Sequence, residues 1–306
     1  MSQTLLIFFI LAFGLQTILT FHYYWAYNSL SAPVGTTSAA PEIFVGVISS
    51  PGKVEYLERY MINAAPHFGW HRAFDPHVRA YTFDVVPENI PRFQYDRFVR
   101  ILPLEGEKTN YHVNSQLWSW KLMHETSPNA NWYLQVDDDT IVAKHNLVAF
   151  MRDNDPGKAE IHGYCGSVGT RFTRGKGKLN FVIGGGGTLM SNAAMKLLLP
   201  HIETCRMKYN NLRFGDSRVF ACLKFEAGLS LENCHDEKNN GFSSSHPLET
   251  TIKQRNPSAR VISIHEKDKE RAIKLNKLFA QDGWSSAPND GLHCKWEDVR
   301  REIFQR

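Results

Sequence analysis

Apolar positions along this chain fall into runs of two kinds. Residues 42–50 read EIFVGVISS, an apolar stretch without alternation that is closed by Ser-Ser-Pro-Gly. That is the pattern of a strand buried on both faces, as in a parallel sheet. Val54, Leu57 and Met61 follow at helical spacing, and residues 78–86 and 99–102 are two further predicted strands. Within 111–125, Val113, Leu117 and Trp120 share one helical face, and Ser127-Pro128-Asn129 ends the helix. Residues 132–136, WYLQV, form the next predicted strand and run straight into Asp137-Asp138-Asp139-Thr140. Residues 147–151 and 192–199 read as helices, the second capped by Ser191 or Asn192. Residues 261–264 read as a strand ending at His265. This alternation predicts an α/β domain with a mostly parallel, twisted sheet flanked by helices.

The N-terminus breaks the pattern. Residues 5–25 contain no Asp, Glu, Lys or Arg and are dominated by Leu, Ile and Phe. The stretch is long enough to cross a bilayer as a helix and outlasts the core of a usual signal peptide, so an uncleaved transmembrane anchor is favoured over a cleaved signal. A buried soluble helix fits less well, because no polar face appears. Residues 26–41 are small and polar and read as a stem. Residues 42–306 are then the folded domain, and either reading of 1–25 sends it into the secretory pathway.

Composition adds little direction. The net charge of +4 is mild. Basic residues are scattered apart from Arg171, Arg174, Lys176 and Lys178, so nucleic acid is not an expected partner. The five cysteines, Cys165, Cys205, Cys222, Cys234 and Cys294, match no zinc spacing, and an oxidising lumen permits disulfides among them.

Four constellations carry candidate chemistry. Asp137-Asp138-Asp139 lies at the C-terminal end of a hydrophobic strand, where open α/β sheets bind ligands. Three adjacent carboxylates repel one another unless a cation compensates, and their oxygens suit Mg²⁺ or Mn²⁺ bridging to phosphates. A solvated acidic turn is the bland alternative. Gly184-Gly185-Gly186-Gly187 joins two apolar stretches, and glycine lets backbone approach a ligand closely. It fits neither a P-loop nor a dinucleotide fingerprint, and a simple turn explains it equally well. Asp216, after Gly215 at a predicted helix start, is either an ordinary N-cap carboxylate or a general base for an acceptor hydroxyl. His246 and His265 could each complete an Asp/His metal site, although any one of the 13 histidines is more often structural or exposed.

In order, these features stop looking independent. A Val-Asp-Asp-Asp-Thr after a Trp-containing strand, four glycines after a Phe strand, a Gly-Asp helix start running to Cys222, His246-Pro247 and a Val-x-Ser-x-His strand resemble the Fringe-like branch of glycosyltransferase family 31. They are similar also to its core 1 β1,3-galactosyltransferases and to related fungal and plant proteins. The resemblance spans 42–265 and is strongest over 132–222. It implies a GT-A fold and inverting transfer of a hexose, galactose or an N-acetylhexosamine, from a UDP-sugar to a glycan or glycoprotein, with a β1,3 linkage. Asp139 is implied as the direct Mn²⁺ ligand, with Asp137 and Asp138 contacting ribose or the metal and its water, and another divalent ion is admissible. Gly184, Gly185, Gly186 and Gly187 map to the loop beside the donor sugar. Asp216 maps to the catalytic base, with Gly215 where Fringe-type members carry a first acid. The metal histidine is His246 by the Fringe pattern, although Ser243-Ser244-Ser245 precedes it here, and His265 by the core 1 pattern. The strand before His265 favours the second. A Cys205–Cys222 disulfide is implied by the fungal and plant relatives. The layout implies a single-pass type II protein of the Golgi or endoplasmic reticulum membrane, with a lumenal catalytic domain and a second copy of the chain as an admissible partner. A catalytically inactive lectin-like or chaperone member of the same fold is the alternative.

Overall fold

The structure is a computed structural model describing residues 42–48, 74, 77–82, 98–101, 111–169, 177–212, 214–231, 241–243, 248–281 and 294–304. The expected membrane segment, the stem, the helix expected around Val54, Leu57 and Met61, and His246 lie outside the described residues. Among the described residues, no helix is long and apolar enough to cross a membrane.

The strands are β1 (Ile43–Ile48), β2 (Val78–Thr82), β3 (Phe98–Arg100), β4 (Trp132–Asp137), β5 (Thr140–Val142), β6 (Ile161–Gly163), β7 (Cys165–Val168), β8 (Leu179–Val182), β9 (Thr188–Ser191), β10 (Phe242–Ser243) and β11 (Ser263–His265). The helices are α1 (Tyr111–Thr126), α2 (Lys144–Arg152), α3 (Asn192–Leu198), α4 (Ile202–Lys208), α5 (Gly215–Phe225), α6 (Leu248–Gln254), α7 (Lys269–Gln281) and α8 (Trp296–Phe304).

A six-stranded sheet in the order β3-β2-β1-β4-β9-β6 forms the centre. β3, β2, β1 and β4 run parallel, and β9 is antiparallel to both β4 and β6. Five strands therefore point one way and β9 alone opposes them. The unalternating runs of β1 and β4 are explained by burial on both faces. Ile43, Val45 and Val47 of β1, with Trp132, Leu134 and Val136 of β4, face a core shared with α2, α6, α7 and α8. Phe44, Ile48 and Tyr133 face the opposite core, with Leu117, Trp120 and Met123 of α1 and residues of α3, α4 and α5. The helical face expected from Leu117 and Trp120 is thus the buried one. Each such side chain removed from water contributes about 1.5–3 kcal/mol, so a one-residue slip of β1 that put Phe44 and Gly46 in the place of Val45 and Val47 would repack both cores at once.

Polar positions inside these layers are bonded. Gln135 of β4 is buried, and its amide donates to Ser119 Oγ at 2.7 Å and to the Gln116 carbonyl at 2.9 Å. Ser191 caps α3, its hydroxyl accepting from the Ala194 amide at 3.1 Å. Of the two caps left open by the sequence, the structure uses Ser191.

Topology positions the site. From β1 the chain passes to β2 and β3 on one side and returns to β4 on the other. The crevice between the carboxyl ends of β1 and β4 is therefore a switch point, the usual ligand position of open α/β sheets. Register pairs Ile48 with Asp137, so the acidic triplet stands at that crevice.

Candidate active site

β4 ends at Asp137, Asp138 and Asp139 form a turn, and Thr140 begins β5. β5 then pairs with β11 in a small sheet ordered β10-β11-β5. The antiparallel register sets His265 opposite Thr140, one residue beyond the triplet. The Glu266 amide donates to the Asp139 carbonyl at 3.0 Å and extends the ladder to the triplet itself. His265 and the acidic turn are thereby neighbours despite lying far apart in the chain.

The side chains converge. His265 Nε2 lies 2.6 Å from Asp139 Oδ1, and both side chains are only 12% exposed. One ligand atom each from Asp137, Asp139 and His265 falls within 4.8 Å of the others. Burial of the His265 ring opposes its charged form. The Asp139 hydrogen bond and the charges of Asp139 and Asp137 outweigh both burial and the repulsion of Lys267, so the imidazole holds its proton more tightly than a free histidine. This is a pocket that recruits positive charge. Two carboxylates and one imidazole fit a divalent ion that accepts oxygen and nitrogen donors, such as Mn²⁺, better than the all-oxygen preference of Ca²⁺.

The glycine segment supplies the other wall. Gly184–Gly186 is a single buried 3₁₀ turn between β8 and β9, closed by the Gly187 amide donating to the Gly184 carbonyl at 2.7 Å. Gly187 leaves the turn at φ +86°, where a side chain would be strained. The turn is tied down from two sides. Thr140 Oγ1 donates to the Gly185 carbonyl at 2.8 Å, and the Ser263 hydroxyl donates to the Gly186 carbonyl. A methyl on Gly185 would sit 2.5 Å from His265 Nδ1. Gly185→Ala is therefore expected to displace the imidazole and weaken Mn²⁺ binding about tenfold, with the melting temperature nearly unchanged. Unaltered Mn²⁺ affinity by calorimetry would show that the turn, and not His265, gives way.

At the start of the same turn, the Gly184 amide donates to Asp216 Oδ2 at 3.2 Å. Asp216 is half-buried in the first turn of α5, and its Oδ1 accepts from the Ser217 amide at 2.6 Å. The residue at the helix cap position is Phe214, with no side-chain cap. Asp216 is thus not the N-cap, and one of its oxygens is directed at the glycine turn. α5 is held firmly. Buried Arg218 binds the Leu212 carbonyl at 3.0 Å and the Asn210 carbonyl at 2.6 Å, fixing the entry to the helix. The Cys205–Cys222 disulfide joins α4 to α5 across a sequence separation of 17, and such a cross-link removes roughly 3 kcal/mol of unfolded-chain entropy.

The structure thus brings Asp137, Asp139 and His265 together at one end of the glycine turn and Asp216 at the other. Asp138 stands half-exposed in the turn and is not among the converging donors. His246 lies outside the described residues. Two further residues of the site, Thr140 and Ser263, lie outside the sequence candidates. The signal for Thr140 is its place directly after the triplet. For Ser263 it is the period-two spacing from His265, which puts both on one side of β11.

Part of the chain is similar to known proteins. Residues 101–237 match the Fringe-like family model. A stretch of 113 residues is 31% identical to chondroitin sulfate synthase 3 of Mus musculus, covering 34% of this chain and 12% of that protein. The match therefore spans only a small part of that relative's length. A solved structure titled as a glycosyltransferase involved in the glycosylation of the major capsid of PBCV-1 aligns at 13% identity and TM-score 0.39, covering 77% of this chain and 99% of the other. The family model and the curated relative fit a Fringe-like glycosyltransferase of family 31, the resemblance that the ordered motifs carry.

Proposed function

We propose that this protein is an inverting hexosyltransferase of GT-A type that uses a UDP-sugar and a divalent cation, Mn²⁺ by its donor set, to extend a glycan or glycoprotein acceptor, with a β1,3 linkage. The observation that carries the reading is one buried glycine turn with an Asp/Asp/His cation pocket at one end and a half-buried carboxylate at the other. A single-pass anchor in residues 1–25, a stem over 26–41 and a catalytic domain from 42 onward in the Golgi or endoplasmic reticulum lumen belong to the same proposal.

The chemistry divides between the two ends. Asp137, Asp139 and His265 would hold the cation, which supplies charge neutralisation for a diphosphate leaving group. Asp216 takes the proton of an acceptor hydroxyl as that oxygen bonds to the anomeric carbon, while the bond from that carbon to the UDP oxygen breaks on the opposite face. Inversion needs only one base, which accords with Gly215 standing where relatives carry a further acid. The Asp216–Gly184 hydrogen bond keeps the carboxylate aimed at the turn rather than at solvent. The test is a UDP-sugar panel assayed for hydrolysis and transfer with Mn²⁺ and with EDTA. Mn²⁺-dependent release of UDP from one donor is the expected result. UDP binding with no turnover on any donor would favour an inactive, glycan-binding member of the fold.

A further inference from the structure

Gln116 lies on α1, outside every motif that marks the site. Its residue is 6% exposed, yet among the described residues its carboxamide makes no hydrogen bond, although its backbone carbonyl serves both Ser119 and Gln135. A buried amide left unbonded costs about 1–3 kcal/mol. Four other buried polar side chains nearby, Gln135, Ser119, Thr140 and Ser263, are bonded. Nor is the Gln116 amide among the atoms that are sealed from solvent without a partner. It therefore reaches open space.

Its place in the fold says which space. A methyl built on Gly184 would lie 2.7 Å from Gln116 Nε2 and 3.9 Å from Asp216 Cβ. The amide and the carboxylate therefore flank the same face of Gly184, and His265 crowds the next residue, Gly185. In the UDP-sugar reading the transferred hexose is the group nearest Asp216, because a base that activates the acceptor hydroxyl must stand beside the anomeric carbon. A carboxamide both donates and accepts, as a ring hydroxyl does, so the two satisfy each other. An alanine at 184 would collide with the Gln116 amide and displace it, which gives that glycine a reason beyond turn geometry.

We infer that Gln116 reads the transferred hexose, its carboxamide hydrogen-bonding a ring hydroxyl or the N-acetyl group of the donor sugar beside Asp216. The inference rests on the UDP-sugar reading above. Sites built to hydrogen-bond a substrate group reject donors that present it wrongly, so Gln116 sets donor preference as well as affinity.

Gln116→Met keeps length and burial and removes the hydrogen bonds. The full chain and this variant are titrated in Mn²⁺ with UDP and with UDP-glucose, UDP-galactose, UDP-N-acetylglucosamine and UDP-N-acetylgalactosamine. UDP affinity should stay unchanged, while the affinity for the preferred UDP-sugar falls about tenfold. Donor hydrolysis and acceptor transfer should fall in the same proportion. Loss of transfer with hydrolysis unchanged would move Gln116 to the acceptor and overturn the inference. A parallel loss of UDP affinity and melting temperature would make its role structural and overturn it too. Should the Met variant not fold, Gln116→Glu serves instead, and an unchanged rank order among the four donors would overturn the inference. Wild-type protein that binds no UDP in Mn²⁺ refutes the UDP-sugar reading itself, and the inference with it. Wild-type UDP binding with unaltered Gln116→Met behaviour refutes the inference alone.

Discussion

Asp216→Asn is expected to lower sugar transfer by roughly 10²- to 10⁴-fold, the range that a positioned general base contributes, while leaving Mn²⁺-dependent UDP affinity within about twofold. The substitution is chosen because it separates basicity from structure. The Asn carbonyl oxygen can still accept from the Gly184 amide or the Ser217 amide, so the turn and the start of α5 keep their shape. The lost carboxylate charge near a helix N-terminus costs only about 0.3–1 kcal/mol, which α5, pinned by Arg218 and by the Cys205–Cys222 bridge, absorbs. Steady-state kinetics with the donor found in the panel, beside UDP calorimetry, would read both quantities. Turnover retained in the purified variant would remove Asp216 from the role and reopen the choice of base.

What the sequence made legible follows from how local each signal is. The runs in β1 and β4 announce strands buried on both faces because each residue of the run carries the same message. The acidic triplet, the four glycines and the Gly-Asp helix start each occupy consecutive positions, so they are visible without knowing the fold. Register is not local. β5 and β10 are two or three residues long, too short for alternation to declare itself, and the strand legible before His265 does not name its partner, yet the pairing of β5 with β11 delivers His265 to Asp139. The same holds for β9, whose reversed direction beside β4 sets the glycine turn against the triplet. Polar residues in the core mislead in the same way. Gln135 interrupts the strand pattern, and only the tertiary contact with Ser119 and the Gln116 carbonyl explains it. Gln116 reads as an ordinary polar helix position until Gly184 is seen beside it. The sequence favoured His265 over His246 only through the strand before it, whereas what sets His265 beside Asp139 is a ladder between segments over 120 residues apart.

Asp139→Ala is expected to weaken Mn²⁺-dependent UDP binding by about 100-fold or more. Losing a group that merely orients a ligand costs about 10- to 100-fold in metal affinity, and a direct ligand should cost at least the upper end of that range. The geometry sharpens the expectation. Asp139 contacts His265 directly, so its removal takes away one donor and also the group that orients a second. Asp137 alone then keeps its place in the pocket. Asp138→Ala is the internal control: it changes the same turn by the same chemistry, but Asp138 is not among the converging donors, and its effect should be smaller. Calorimetry of UDP with Mn²⁺ and with EDTA measures this directly. Equal affinity in both conditions for the wild-type protein would sink the cation assignment, and equal losses at Asp138 and Asp139 would sink the distinction between them. Combined with Asp216→Asn, the experiment partitions the site. If the two ends of the glycine turn carry separate tasks, the base variant binds UDP and does not turn over, whereas the cation-pocket variant loses both. A base variant that also lost UDP would mean that Asp216 acts through the turn on the nucleotide half, with the Gly184 hydrogen bond as the route.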